Sequence, residues 1–140
     1  MGKPIDNTTC HCLKMRRSAG NVIDFYDRML KPSGVTVRQY SLLYEISAHN
    51  GCSVSVLAKA TELDRSTLAR SLRPLMKQGF VADDKKPGSR DSRLELTELG
   101  REVEKRAGEL WKEAQAAFER KLGADRVKAL EDALLFLQDL

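Results

Sequence analysis

Cysteine is scarce in this chain, with three residues in 140, and histidine is scarcer, with two. The odd set Cys10, Cys12 and Cys52 cannot build a full disulfide framework. No apolar run near the N-terminus has the shape of a secretion signal, so a reducing cytoplasm is the expected compartment. No stretch approaches the roughly 18 consecutive apolar residues of a membrane span; the longest run, Ala133 to Leu137, is far shorter. We therefore expect a soluble protein with no membrane partner. A glycine-rich phosphate loop is missing, no nucleophile stands beside a base, and His11 and His49 are the only histidines, so neither enzymatic chemistry nor a cofactor is expected. A metal site is not expected either. Cys10, His11 and Cys12 are soft ligand types, but adjacent positions on a helix point about 100° apart, so a single ion cannot easily take all three.

What is present suffices for one self-supporting domain, since 140 residues with 41% apolar composition can bury a core unaided. Lys and Arg number 24 against 20 Asp and Glu, a net charge of only +4, so placement matters more than the total. Residues 1–52 and 53–97 each carry +3, whereas 98–140 carry −2. A polyanionic partner would meet the first two thirds of the chain.

Helical periodicity runs through Leu13, Ala19, Val22, Ile23, Tyr26 and Leu30 until "KPSG" at 31–34 stops it. Thr36 caps a second helix with the apolar face Tyr40, Leu43, Ile46 and Ser47, closed by Gly51, and His49 is a surface cap. A short third helix starts at Ser53 or Ser55. Only "TELD" separates it from a fourth, capped by Asp64 or Ser66, and two short helices across so tight a turn form a helix-turn-helix. Pro74 should kink the fourth helix and leave its first half straight.

Alternation then replaces the helical period in "FVAD" and "SRLELT", with a Pro-Gly turn in "DKKPGSRD" between them, which makes a basic hairpin. Apolar residues Leu99, Val103, Ala107, Leu110, Ala114, Phe118 and Leu122 mark a long helix opened by Thr97 and Gly100 and closed by Gly123. A last helix from about Asp125 presents Val127, Leu130, Leu134 and Leu137. The expected class is mainly α with a small β-hairpin wing: a winged helix-turn-helix over 36–97, and a dimerisation region built from the N-terminal helix (1–35) and the C-terminal helices (98–140). The helices after residue 97 hold more apolar positions than a small domain can bury, so Leu130, Leu134 and Leu137 are candidate dimer-interface residues. The alternative is that they close the monomer's own core.

Sixteen residues, "DRSTLARSLRPLMKQG" at 64–79, carry the functional argument. The first turn of a helix offers free N–H groups and the positive end of a dipole. Ser66, Thr67 and Arg70 are placed to read base edges in a major groove, and Arg65 and Arg73 to reach backbone phosphate. The alternative is a solvated basic face with no partner. A second basic element follows at once: Lys85, Lys86, Arg90 and Arg93 cluster around the hairpin turn, and such a wing can lay Arg90 into a narrow minor groove. Asp91, two residues before Arg93, would orient it and stiffen the wing. Double-stranded DNA is the expected partner.

In order and at this spacing, "YDRMLKPSGVTVRQYSLL", "LDRSTLARSLRPLMKQGFV" and "DSRLELTELG" resemble the multiple-antibiotic-resistance regulator (MarR) family, with its Asp-x-Arg wing motif as Asp91, Ser92 and Arg93. The resemblance implies a homodimer whose first and last two helices intertwine. It further implies that the dimer binds a pseudo-palindromic operator and represses transcription until a small-molecule effector weakens its grip. Cys12 falls where organic-peroxide sensors of the family carry a reactive cysteine, and Tyr26 corresponds to a tyrosine that orients the thiol; their second tyrosine is Val37 here. Three readings stay open: an effector-controlled repressor, a cysteine-based redox sensor of the same fold, and an effector-independent structural winged-helix protein. In the first and third, the cysteines only pack.

Overall fold

The computed structural model describes residues 9–140, so the first eight positions of the unit expected over 1–35 lie outside the described residues. Helix α1 runs over His11–Leu30, and a short 3-10 turn at Lys31–Ser33 ends it at the expected Pro and Gly. Helix α2, Val37–Ala48, starts at Thr36. The Thr36 hydroxyl accepts from the Gln39 N–H while the Gln39 side chain accepts from the Thr36 N–H, a reciprocal capping box. Ser53 caps α3, Val54–Thr61, and Asp64 caps α4, Arg65–Lys77.

Between α3 and α4 the chain turns at Glu62, which sits in the left-handed region at φ 58° although it is not glycine. There its N–H bonds the carbonyls of Ala58 and Lys59, closing the end of α3. Pro74 lies inside α4 without ending it: the Gln78 N–H bonds the Pro74 carbonyl at 2.9 Å, and Leu68, Leu72 and Leu75, on both sides of the proline, are buried in one core. Packing along the whole apolar face offsets the one lost backbone bond.

Strands β1, Val81–Asp83, and β2, Leu94–Leu96, pair antiparallel with Val81 opposite Leu96. Leu94 also bridges Cys52, exchanging bonds of 2.8 and 2.9 Å with the 51–52 backbone, so the loop before α3 acts as a third strand. The hairpin turn is a Lys86-Pro87-Gly88-Ser89 turn with φ 83° at Gly88, as a type II turn requires. The winged helix-turn-helix follows in chain order as α2, α3, α4, β1 and β2. The α2 face differs in one respect from its pattern: Leu42 is buried beside Leu43 and Ile46, while Ser47 is exposed. Leu42 faces the helix-turn-helix, a neighbour that periodicity alone does not specify.

Helix α5, Glu98–Leu122, packs along α1 and α2, and α6 spans Ala124–Leu137. Ala107, Leu110 and Ala114 of α5 are buried, but Leu99 is 48% exposed. None of the α6 residues is buried, so Leu130, Leu134 and Leu137 do not close the monomer's core. Leu135, Phe136 and Leu140 are exposed as well, and so are Leu13 and Met15 at the start of α1.

The hairpin joins α5 through a backbone contact. Thr97 donates its N–H to the Phe80 carbonyl at 3.0 Å and its hydroxyl to the Gly79 carbonyl at 2.5 Å, and it accepts the Gly100 N–H at 2.9 Å. A Cβ built on Gly100 would stand 1.9 Å from the Phe80 oxygen. Gly100→Ala must therefore push α5 off the hairpin and disturb those bonds. We expect it to cost about 2–3 kcal/mol in urea unfolding, against about 1 kcal/mol for loss of the cap in Thr97→Ala; an unchanged midpoint would refute the contact.

Candidate nucleic-acid interface

Burial divides α4 into two faces. Leu68, Leu72 and Leu75 are buried, whereas Ser66, Arg70, Arg73 and Lys77 are exposed at intervals of four, three and four, which places them on the opposite side of the helix. Lys77 extends this stripe beyond the four α4 residues expected at DNA besides Arg65; its signal was the same helical spacing. Among the described residues, Arg65, Arg70, Arg73 and Lys77 form no ion pair within the chain. Arg65 is exposed in the first turn, while Thr67 is only half-exposed and lies to the side.

Asp64 organises the start of α4. One carboxylate oxygen accepts the Thr67 N–H and the Ser66 hydroxyl, both at 2.7 Å, and the other accepts the Thr67 hydroxyl at 2.9 Å. The backbone bond from Thr67, then the two hydroxyls and the charge of Arg70, hold the carboxyl at about 2, below its ordinary value. Both hydroxyls expected at base edges thus already have partners inside the helix cap.

Lys85, Lys86 and Arg90 are exposed around the wing turn. Asp91 does not meet Arg93. The Arg93 Nε bonds Glu95 at 3.3 Å and its backbone N–H bonds Asp83 at 2.8 Å, while the Asp91 N–H bonds the Ser89 hydroxyl at 3.2 Å. The reason is register. Residues 93 and 95 share a face as the chain enters β2, whereas Asp91 still belongs to the loop, so the carboxylates that brace Arg93 are Glu95 and Asp83. The guanidinium also lies over Gly51, where a Cβ would be 3.5 Å from Nε.

Cys12 is exposed in the first turn of α1, and Tyr26 is buried fourteen residues later, about 21 Å along the same helix. One chain does not bring them together. The Tyr26 hydroxyl bonds Gln115 Oε1 on α5, and its ring packs against Phe25 and Phe118; burial, followed by the charge of Glu119, raises its pKa and keeps the proton on. Burial likewise raises the Cys52 thiol, which makes it a packing residue. Cys10 is exposed.

Two concavities adjoin the helix-turn-helix. One of about 410 Å³ lies between α2 and α5, lined by Val37, Tyr40, Ser41, Tyr44 and Trp111. A groove of about 740 Å³ between α2, α3 and α4 carries exposed Arg38 opposite Thr67, Ser71 and Pro74. Sequence reading missed Arg38, because only the tertiary packing brings the start of α2 across from α4.

The MarR family model matches residues 33–93, from the turn after α1 through the wing. Among curated proteins none matches the chain. The crystal structure of the M. tuberculosis transcriptional regulator MosR in complex with DNA is 34% identical, covers 93% of this chain and 96% of its own, and superposes with a TM-score of 0.76. At 22% identity, the transcriptional repressor CouR bound to p-coumaroyl-CoA covers 99% and 98% with a TM-score of 0.84. A mutant MarR from E. coli complexed with operator DNA, 20% identical, covers 97% and 99% with a TM-score of 0.81. The last two bear on the fold alone.

The Asp64 cap makes a pH prediction. Its folded-state pKa is depressed, so its stabilisation is present above the unfolded carboxyl value of about 3.9 and is lost as pH falls through about 2. A carboxyl-carbon NMR titration should find Asp64 still ionised at pH 3; a midpoint near that of a free aspartate would show that the cap is not formed.

Proposed function

The chain belongs to the MarR family of winged helix-turn-helix transcriptional regulators, and from that premise we propose that it acts as a homodimeric repressor that binds a pseudo-palindromic duplex operator and releases it on binding a small effector. The observation that carries the DNA reading is the exposed stripe of Ser66, Arg70, Arg73 and Lys77 on α4, followed directly by a wing with three cations around its turn. Ser66, Thr67 and Arg70 read base edges, Arg65 and Arg73 grip phosphate, and Arg90 enters the adjacent minor groove with Lys85 and Lys86 beside it at the DNA. Arg93 helps to hold the wing's shape through its backbone bond to Asp83, while its guanidinium pairs with Glu95. The same fold serves as the DNA-binding unit over 36–97, with 1–35 and 98–140 as the dimer arms.

The exposed apolar faces of α6 and the start of α1 support dimerisation, because Leu13 and Met15 on the one and a patch of leucines with Phe136 on the other need a cover. Leu130, Leu134 and Leu137 lie in that interface. The effector occupies the aromatic cavity of Val37, Tyr40, Tyr44 and Trp111, which joins α2 of the DNA-binding unit to α5 of the arm. An exposed Cys12 is what an oxidant sensor needs, but the tyrosine expected beside it is bonded to Gln115, so the effector reading carries the proposal.

Arg70→Ala should cost about 1–3 kcal/mol on the selected operator and relax sequence preference, whereas Arg73→Ala should weaken operator and random duplex alike. Titration of both variants on both duplexes separates reading from gripping, and equal losses for Arg70→Ala would reject its role. For the dimer, Leu134→Glu leaves the protomer core untouched yet places a charge in the interface, at a cost of about 3 kcal/mol. Sedimentation should show a folded monomer for the variant and a dimer for the wild type at micromolar concentration.

A further inference from the structure

The hydroxyls of Ser66 and Thr67 stand at the end of α4 that the DNA reading sends into the major groove. A free serine or threonine hydroxyl can donate or accept, and so accommodates several bases. Here the choice is already made. An ionised carboxylate only accepts, so at 2.7 and 2.9 Å from Asp64 both hydroxyls must be donating to it. Each oxygen then has only lone pairs left for an outside partner. In the major groove the available donors are the N6 amino group of adenine and the N4 amino group of cytosine; guanine and thymine present acceptors at the equivalent place.

We propose that Asp64 is a positioning residue that sets the polarity of base reading: by holding the hydroxyl protons of Ser66 and Thr67 it makes both side chains acceptors, which select an amino-bearing adenine or cytosine and reject a carbonyl-bearing guanine or thymine. This rests on the reading of α4 as the DNA-contacting helix. Ser66 is the principal reader, since it is exposed on the stripe with Arg70 and Arg73, while Thr67 is half-exposed. The identity of the cap supports the assignment. Serine or asparagine would cap the helix about as well as aspartate, without placing a negative charge where phosphates approach. Neither offers two acceptor-only oxygens that can take a backbone N–H and two hydroxyl protons together. Arg70, on the outward face, lies close enough for its charge to be felt by the carboxylate and supplies the complementary chemistry, a donor for guanine.

The test uses duplexes selected from a random pool by the full-length wild type, then resynthesised with single major-groove amino groups deleted, adenine to purine and cytosine to pyrimidin-2-one. At one position in each half-site the deletion should weaken wild-type binding about tenfold. Asp64→Ser keeps a capping oxygen but frees both hydroxyls to rotate, and its loss on the same duplex should shrink to about twofold or less. Ser66→Ala, which leaves the Asp64 cap in place, should lose the sensitivity at that position too and provides the answer if Asp64→Ser fails to fold. Wild-type protein indifferent to every amino deletion, or variants as sensitive as the wild type, would overturn the proposal while leaving sequence-specific binding intact. Selection of no preferred sequence by the wild type would instead remove the DNA reading on which it rests.

Discussion

The contact between Gly100 and the Phe80 carbonyl is the constraint on which the arrangement of the two halves depends. Phe80 is tied to α4 through its N–H on the Leu75 carbonyl at 2.9 Å, and to α5 through Thr97 at 3.0 Å. No side chain fits between, so the long helix leaves the hairpin in the direction that this close approach permits. That direction lays Ala107, Leu110 and Ala114 against α1 and α2 and leaves α6 projecting away from the core. The placement of the proposed dimer arms relative to the proposed DNA-binding unit follows from a single backbone approach that glycine alone permits.

Charge and hydrophobicity are sorted around this joint by the same geometry. Apolar residues of α2, α3, α4 and the hairpin form one core with Leu30 and Val35, and no polar or charged side chain is buried among the described residues. The cations of α4 and the wing consequently stay in solvent, where they cost little to keep and are available to a polyanion. Arg93 is the exception in the wing. Its backbone N–H ties the start of β2 to Asp83 on β1, and its guanidinium pairs with Glu95 over Gly51, which leaves Lys85, Lys86 and Arg90 as the wing's unpaired cations among the described residues.

An effector in the aromatic cavity would touch α2 through Tyr40 and Tyr44 and α5 through Trp111, one element from each side of the proposed joint between DNA-binding unit and arm. Within this proposal a ligand need not reach α4 to release DNA. It has only to favour one angle between arm and DNA-binding unit over another, and the free energy it can transmit is its difference in affinity for the two. The two recognition stripes of a dimer must match groove spacing together, so a small change in arm angle is felt at both half-sites.

Local chemistry made much of this legible in advance. Thr36, Ser53, Asp64 and Thr97 cap the helices because their side-chain oxygens satisfy N–H groups a few residues away, and the Pro-Gly turn and the alternation around it specify the hairpin; none of these needs a distant partner. The basic stripe on α4 is likewise a matter of spacing along one helix. Long-range packing decided the rest. That Arg93 pairs with Glu95 rather than Asp91 depends on where β2 begins, that Leu42 is buried depends on the helices opposite α2, and that Arg38 faces α4 depends on how α2 crosses it. The donor role of the Ser66 and Thr67 hydroxyls is local again, since Asp64 stands two and three residues before them; the folded cap adds only the distances at which they meet. Sequence determined the elements, their caps and the sign of their charge, because these arise from neighbours within a turn or two; the tertiary structure alone decided which side chains are left to face a partner, because that is set by what each element packs against.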